Sequence, residues 1–181
     1  MSIVFLAGVH GVGKGFLGEP VAKSLGISHF TASQLIREEK GLTTWGKDKK
    51  TSDLDDNQLA LIRAVNQRHM THRNILLDGH FVLRNAQGVL SPLDNAVFAA
   101  LGLAGVILLT DEPTVIASRL LARDKSDTNV QAISSLADAE LAHAQNVCRE
   151  LELPLTIIHS PNEESVRGAL QHILNIPCIT S

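Results

Sequence analysis

Ser2-Ile3-Val4-Phe5-Leu6-Ala7-Gly8-Val9-His10-Gly11-Val12-Gly13-Lys14-Gly15-Phe16 decides how this chain folds. Its first six residues are almost all apolar and β-branched or aliphatic, the composition of a strand buried on both faces. Glycines follow at Gly8, Gly11 and Gly13, and Lys14 comes directly after the last of them. Small residues let a backbone wrap closely around a phosphate, with its N–H groups turned inward and a lysine beside the terminal phosphates. The spacing is that of the Walker A motif, G-x-x-x-x-G-K, except that Gly15 stands where a serine or threonine hydroxyl usually follows. A chance glycine-rich turn would not also supply the strand, the lysine and a following helix.

Outward from that loop, strands and helices alternate. A helix is expected from about Gly13 to Leu25, closed by Gly26. A short second strand follows at Ile27–Phe30. Thr31-Ala32-Ser33-Gln34 reads as a capping box opening a helix toward Lys40. Residues 41–52, with Lys47, Lys49 and Lys50, read as a polar loop, and Asp53 as the start of a helix to about His69. Ile75-Leu76-Leu77 is a third strand ending at Asp78-Gly79. A helix is expected within Leu90–Leu101 after Pro92, and a fourth strand at Val106–Leu109. Asp111-Glu112-Pro113 opens a helix to Arg123. A polar stretch from Asp124 to Ser135 precedes a helix marked by Ala137, Leu141, Ala144, Cys148 and Leu151. Leu155–Ile158 is the fifth strand. Ser160-Pro161-Asn162-Glu163 reads as a capping box for the last helix. Apolar strands alternating with helices imply a parallel sheet covered on both faces.

Composition narrows the function classes. With 181 residues and 44% hydrophobic content, the chain suits one domain with an aliphatic core, since aromatic residues make up only 3%. A formal net charge of −3 argues against bulk nucleic-acid binding. No apolar run is long enough to span a membrane. Met1-Ser2-Ile3 lacks a basic leader, and Cys148 and Cys178 lack ligand spacing, so a reduced, cytoplasmic protein is expected.

In a parallel sheet, ligands bind at the carboxyl ends of the strands. Those ends collect the phosphate loop, then Thr31, Ser33 and Arg37, then Asp78, Gly79, His80 and Arg84, and then Arg119 and Arg123. Asp78 suits a carboxylate that holds waters of nucleotide-bound Mg²⁺, or else a turn-forming Asp-Gly. The phosphate loop favours the first. Arg119 and Arg123 lie four apart on one helical face, fit to neutralise a transferring phosphoryl group. The alternative is a solvated helix end favoured by the dipole. His10 either contacts phosphate or tolerates the turn. His80 either orients an acceptor or packs. Trp45 is a stacking candidate in a polar loop.

Gly8 to Phe16, closing on Gly-Lys-Gly, resembles the phosphate loop of adenylate kinase and related nucleoside monophosphate kinases. Phe30 to Arg37 is similar to the segment that opens their acceptor-binding helix. Asp78-Gly79-His80-Phe81 resembles their aspartate-glycine-phenylalanine turn, closer to the aspartate-x-histidine of the archaeal type, and Arg119 and Arg123 match the arginine pair that starts their lid. The departures are Phe16 in place of threonine, few arginines beyond the lid, and a short lid without a cysteine cluster. The resemblance implies a P-loop α/β three-layer sandwich with a five-stranded parallel sheet ordered 2-3-1-4-5. It spans residues 1–181, with an acceptor cover at about 31–70 and a lid at about 119–135. It implies ATP-dependent transfer to a small phosphorylated acceptor, with a nucleoside monophosphate expected. Gly8, His10, Gly11, Val12, Gly13, Lys14, Gly15 and Phe16 would bind ATP. Lys14, Asp78, Arg119 and Arg123 would be catalytic, Asp78 acting on Mg²⁺ through water. Thr31, Ser33, Arg37, His80 and Arg84 would take the acceptor. Another small-molecule acceptor, or an ATP-binding switch acting on a protein partner, is the alternative.

Overall fold

The computed structural model describes residues 2–41, 54–85, 87–124 and 129–177. Five strands form one parallel sheet: β1 (Ser2–Ala7), β2 (Ser28–Thr31), β3 (Asn74–Asp78), β6 (Leu103–Thr110) and β7 (Leu155–His159). Their order, β2-β3-β1-β6-β7, is the expected 2-3-1-4-5 once the sheet's own strands are counted. Alternate side chains feed two separate cores. Ile3, Phe5 and Ala7 of β1 enter one, and Val4 and Leu6 the other. This is the period-2 pattern of a strand covered on both faces.

Helices make the outer layers. α2 (Ala32–Glu39), α3 (Leu54–Thr71) and α4 (Asn95–Leu101) supply buried Leu35, Leu61, Val65, Val97 and Phe98 to the first core. α1 (Lys14–Ser24), α5 (Pro113–Asp124) and α7 (Glu163–Leu174) supply Val21, Ile116 and Val166 to the second. α6 (Val130–Glu150) serves both, giving Ile133 to the second core and Ala144, Val147 and Cys148 to the first.

The helix expected after Pro92 is α4, which begins where the Asp94 side chain accepts from the Ala96 N–H and caps it. Leu90–Pro92, ahead of it, forms β5, paired antiparallel with β4 (Val82–Arg84), a hairpin the sequence does not announce. Two expectations are corrected. The stretch from Asp124 to Ser135 is not a polar loop throughout, since Val130–Ser135 opens α6, where Asn129 accepts from the N–H groups of Gln131 and Ala132. The last capping box lies two residues later than expected. Asn162 accepts from Ser165 N, and the Ser165 hydroxyl accepts from Asn162 N. Asp53, Trp45, Lys47, Lys49, Lys50 and Cys178 lie outside the described residues, as does 125–128 of the expected lid.

Candidate active site

The loop between β1 and α1 is shaped by backbone that only glycine tolerates easily. Gly8 has φ +137°, and a Cβ there would stand 2.5 Å from the Leu109 carbonyl oxygen. Gly13 has φ +109° in the left-handed region where the loop turns into α1. Lys14, only 7% exposed, folds back into this loop. Its Nζ donates to the Gly8 carbonyl at 2.6 Å and lies 3.8 Å from Asp78 Oδ1 at the end of β3. His80 Nε2 faces the same ammonium at 3.5 Å.

Burial dominates the electrostatics. It lowers the Lys14 pKa, with the charges of Asp78 and Glu140 opposing. It raises that of Asp78, with Lys14 and His29 opposing. His80 is held well below the ordinary imidazole range by burial, then by the charges of Lys14 and His10. Its ring lies 4.3 Å from that of His10.

Glu140 is a site residue that the sequence did not single out. It is 1% exposed, on α6, and it accepts three backbone N–H bonds. Gly8 donates at 3.3 Å, Phe81 at 2.9 Å and Val82 at 2.7 Å. The carboxylate therefore ties the phosphate loop to the turn that follows Asp78. The signal was present: Glu140 interrupts the apolar positions Ile133, Leu136, Ala144 and Val147 at helical spacing. Burial raises its pKa, opposed by the Phe81 and Val82 N–H groups.

A cavity of about 750 Å³ opens over the loop. His10 to Phe16, Thr31, Ser33, Asp78, His80, Arg119 and Arg123 all line it. Gly8 lies behind it, its N–H and C=O taken by Glu140 and Lys14. Arg119 spans the other wall, donating to the Val12 carbonyl at 3.3 Å and pairing with Asp111 at 2.9 Å. Two expected acceptor groups are not among the lining residues. Arg37 Nε donates to the Ser33 carbonyl, and Arg84 donates to the carbonyls of Gly88 and Ala132. Asn57 and Gln58 of α3 line the cavity instead, unforeseen because nothing in a helix's own spacing shows which polar face turns inward.

A family model for an AAA domain matches residues 7–137. The chain belongs to this AAA-domain family. The matched stretch of the AAA domain runs from the loop through β3 and α5 into α6, so it contains Lys14, Asp78, Arg119 and Arg123. No curated protein matches it. Among solved structures, a shikimate kinase from Acinetobacter baumannii in complex with shikimate aligns with TM-score 0.62 and 18% identity, over 98% of this chain and 96% of its own. A gluconokinase from Sinorhizobium meliloti aligns with TM-score 0.57 and 15% identity, over 97% and 93%. A shikimate kinase from Bacteroides thetaiotaomicron gives 0.57 and 15%, over 97% and 99%. The AAA domain therefore has the α/β fold of P-loop kinases.

Proposed function

We propose that the chain transfers the γ-phosphoryl group of ATP to a small-molecule acceptor. The observation that carries this reading is the convergence of Lys14, Asp78, Arg119 and Arg123 on one cavity over a glycine-rich loop. Lys14 exchanges the Gly8 carbonyl for β- and γ-phosphate oxygens. The loop N–H groups and the N-terminus of α1 hold the phosphates. Arg119 and Arg123 offset charge that develops during transfer, most strongly when water is excluded.

The donor set fits Mg²⁺ that arrives on the nucleotide. Asp78 offers one carboxylate, Gly15 offers no hydroxyl, and no cluster of three or more metal-binding side chains occurs among the described residues. Such an ion keeps several waters and is held by one or two carboxylates plus phosphates. When bound it neutralises phosphate charge, and Asp78 orients its waters.

A nucleoside monophosphate, the acceptor implied by the adenylate-kinase resemblance, depends on Arg37 and Arg84. Neither lines the cavity, so the supported acceptor is broader, any small alcohol that enters it. The test is ADP formation from ATP and Mg²⁺ with and without a panel of small alcohols, nucleoside monophosphates included. An acceptor-dependent rate that Lys14→Ala removes is the expected result. ADP formation that no acceptor changes would leave the nucleotide switch as the better reading.

A further inference from the structure

We infer that the acceptor is an uncharged alcohol built on an apolar ring, held at its edges by neutral hydrogen-bonding groups. The inference rests on the kinase reading and narrows it.

The cavity has two unlike halves. Its two arginines, Arg119 and Arg123, stand on α5 beside the phosphate loop, where the nucleotide's own charge lies. The half reaching toward α2, α3 and α4 is different. Its wall carries Phe5, Ile36, Leu61, Leu83, Val97 and Phe98. Its polar groups are the hydroxyls of Thr31 and Ser33 and the amides of Asn57 and Gln58, none of them charged. His80 stands between the halves and is kept neutral by burial and by Lys14.

The arginines of α2, α3 and β4 make contacts of their own and do not line the cavity. Arg63 pairs with Glu39 at 3.3 Å and Arg68 with Glu38 at 2.7 Å. Arg37 and Arg84 donate to backbone carbonyls. Among the described residues, no lysine or arginine faces the acceptor half. Placing a phosphate or carboxylate against that wall costs hydration that no cation among the described residues offsets. A flat apolar ring gains from the same wall by burial, and a neutral edge satisfies the amides. The chemistry needs only a hydroxyl aimed at the loop. Its oxygen forms the bond to the γ-phosphorus, and the bond from that phosphorus to the β–γ bridging oxygen breaks. ADP leaves with the electron pair, and the hydroxyl proton passes to water.

The experiment compares matched pairs. ADP formation is followed with adenosine, guanosine, cytidine and uridine, with their 5′-monophosphates, and with shikimate and gluconate as anionic alcohols. At least one uncharged nucleoside is expected to raise the rate tenfold or more over the acceptor-free rate and over its own monophosphate. Gln58→Leu is expected to raise that nucleoside's KM about tenfold with little change in kcat. Stimulation by anionic members alone overturns the inference and leaves the kinase reading intact. ATP binding without stimulation by any member overturns both. Ser33→Arg, at an exposed position on the cavity edge, is a second check. It is expected to bring the monophosphates in, and a variant that still prefers them no better than the parent counts against the neutral wall as the selecting feature.

Discussion

At the residue scale, Glu140 and Lys14 show how burial makes a site expensive. Glu140 accepts from three backbone donors, and an orphaned buried N–H costs about 1–3 kcal/mol. Glu140→Ala is expected to destabilise the protein by about 3 kcal/mol or more in urea unfolding, because the phosphate loop and the turn after Asp78 lose their common acceptor. Glu140→Gln, which keeps one carbonyl oxygen, is expected to lose less. Equal losses in the two variants would mean that packing, not hydrogen bonding, sets the value of this side chain. His80 gives a pH prediction. Its folded pKa is depressed, so the unfolded chain takes up a proton near pH 6.5 that the folded chain refuses. Stability from this group is full above that pH and is lost as pH falls, by about 1.4 kcal/mol per unit. Asp78 and Glu140, with raised pKa values, act oppositely nearer the ordinary carboxylate range. Melting temperature should therefore drop between pH 7.5 and 5.5, and drop less in His80→Gln. An unchanged slope in that variant would count against a buried neutral His80.

At the scale of elements, the central strands of the sheet were legible because they are apolar runs. Ile75–Leu77 and Val106–Leu109 lie within β3 and β6, each a strand buried on both faces. The hairpin β4–β5 was not legible. Its strands are three residues each, include Arg84, Ser91 and Pro92, and are defined by pairing with each other rather than by any periodicity of their own. The start of α6 was hidden for a related reason. Asn129, Gln131 and the serines that follow read as loop composition, yet Asn129 caps the helix and Ile133 anchors it. Removing that cap by Asn129→Ala should cost about 1 kcal/mol, the usual value of a lost helix cap. The loss should also reach the site, since α6 holds Glu140. A stability loss without any fall in ATP affinity would separate the helix start from the loop. The candidate site divides the same way. Lys14, Asp78, Arg119 and Arg123 were readable from motif and strand end, whereas Glu140, Asn57 and Gln58 depend on which face of a helix turns inward.

At the scale of the whole molecule, the cavity touches both helical layers. α2, α3 and α4 belong to the layer on one side of the sheet, and α5 to the other. A ligand that fills it adds a link between layers that otherwise meet through the sheet and α6. Nucleotide at one hundred times its Kd should stabilise the fold by about 2.7 kcal/mol. For a chain of this length that is a rise of roughly 5–10 °C in melting temperature. Lys14→Ala should remove the rise, because the ammonium that meets the phosphates is gone. Hydrogen exchange then separates the two halves. A non-hydrolysable ATP analogue alone should protect the loop at Gly11–Gly15 and the face of α5 that carries Arg119 and Arg123. Adding the uncharged acceptor should extend protection to Thr31–Ile36 and to α4, whose Val97 and Phe98 form its floor. Protection that spreads to α2 and α4 with the analogue alone would mean that the nucleotide fills the whole cavity, and the acceptor would then have to bind elsewhere.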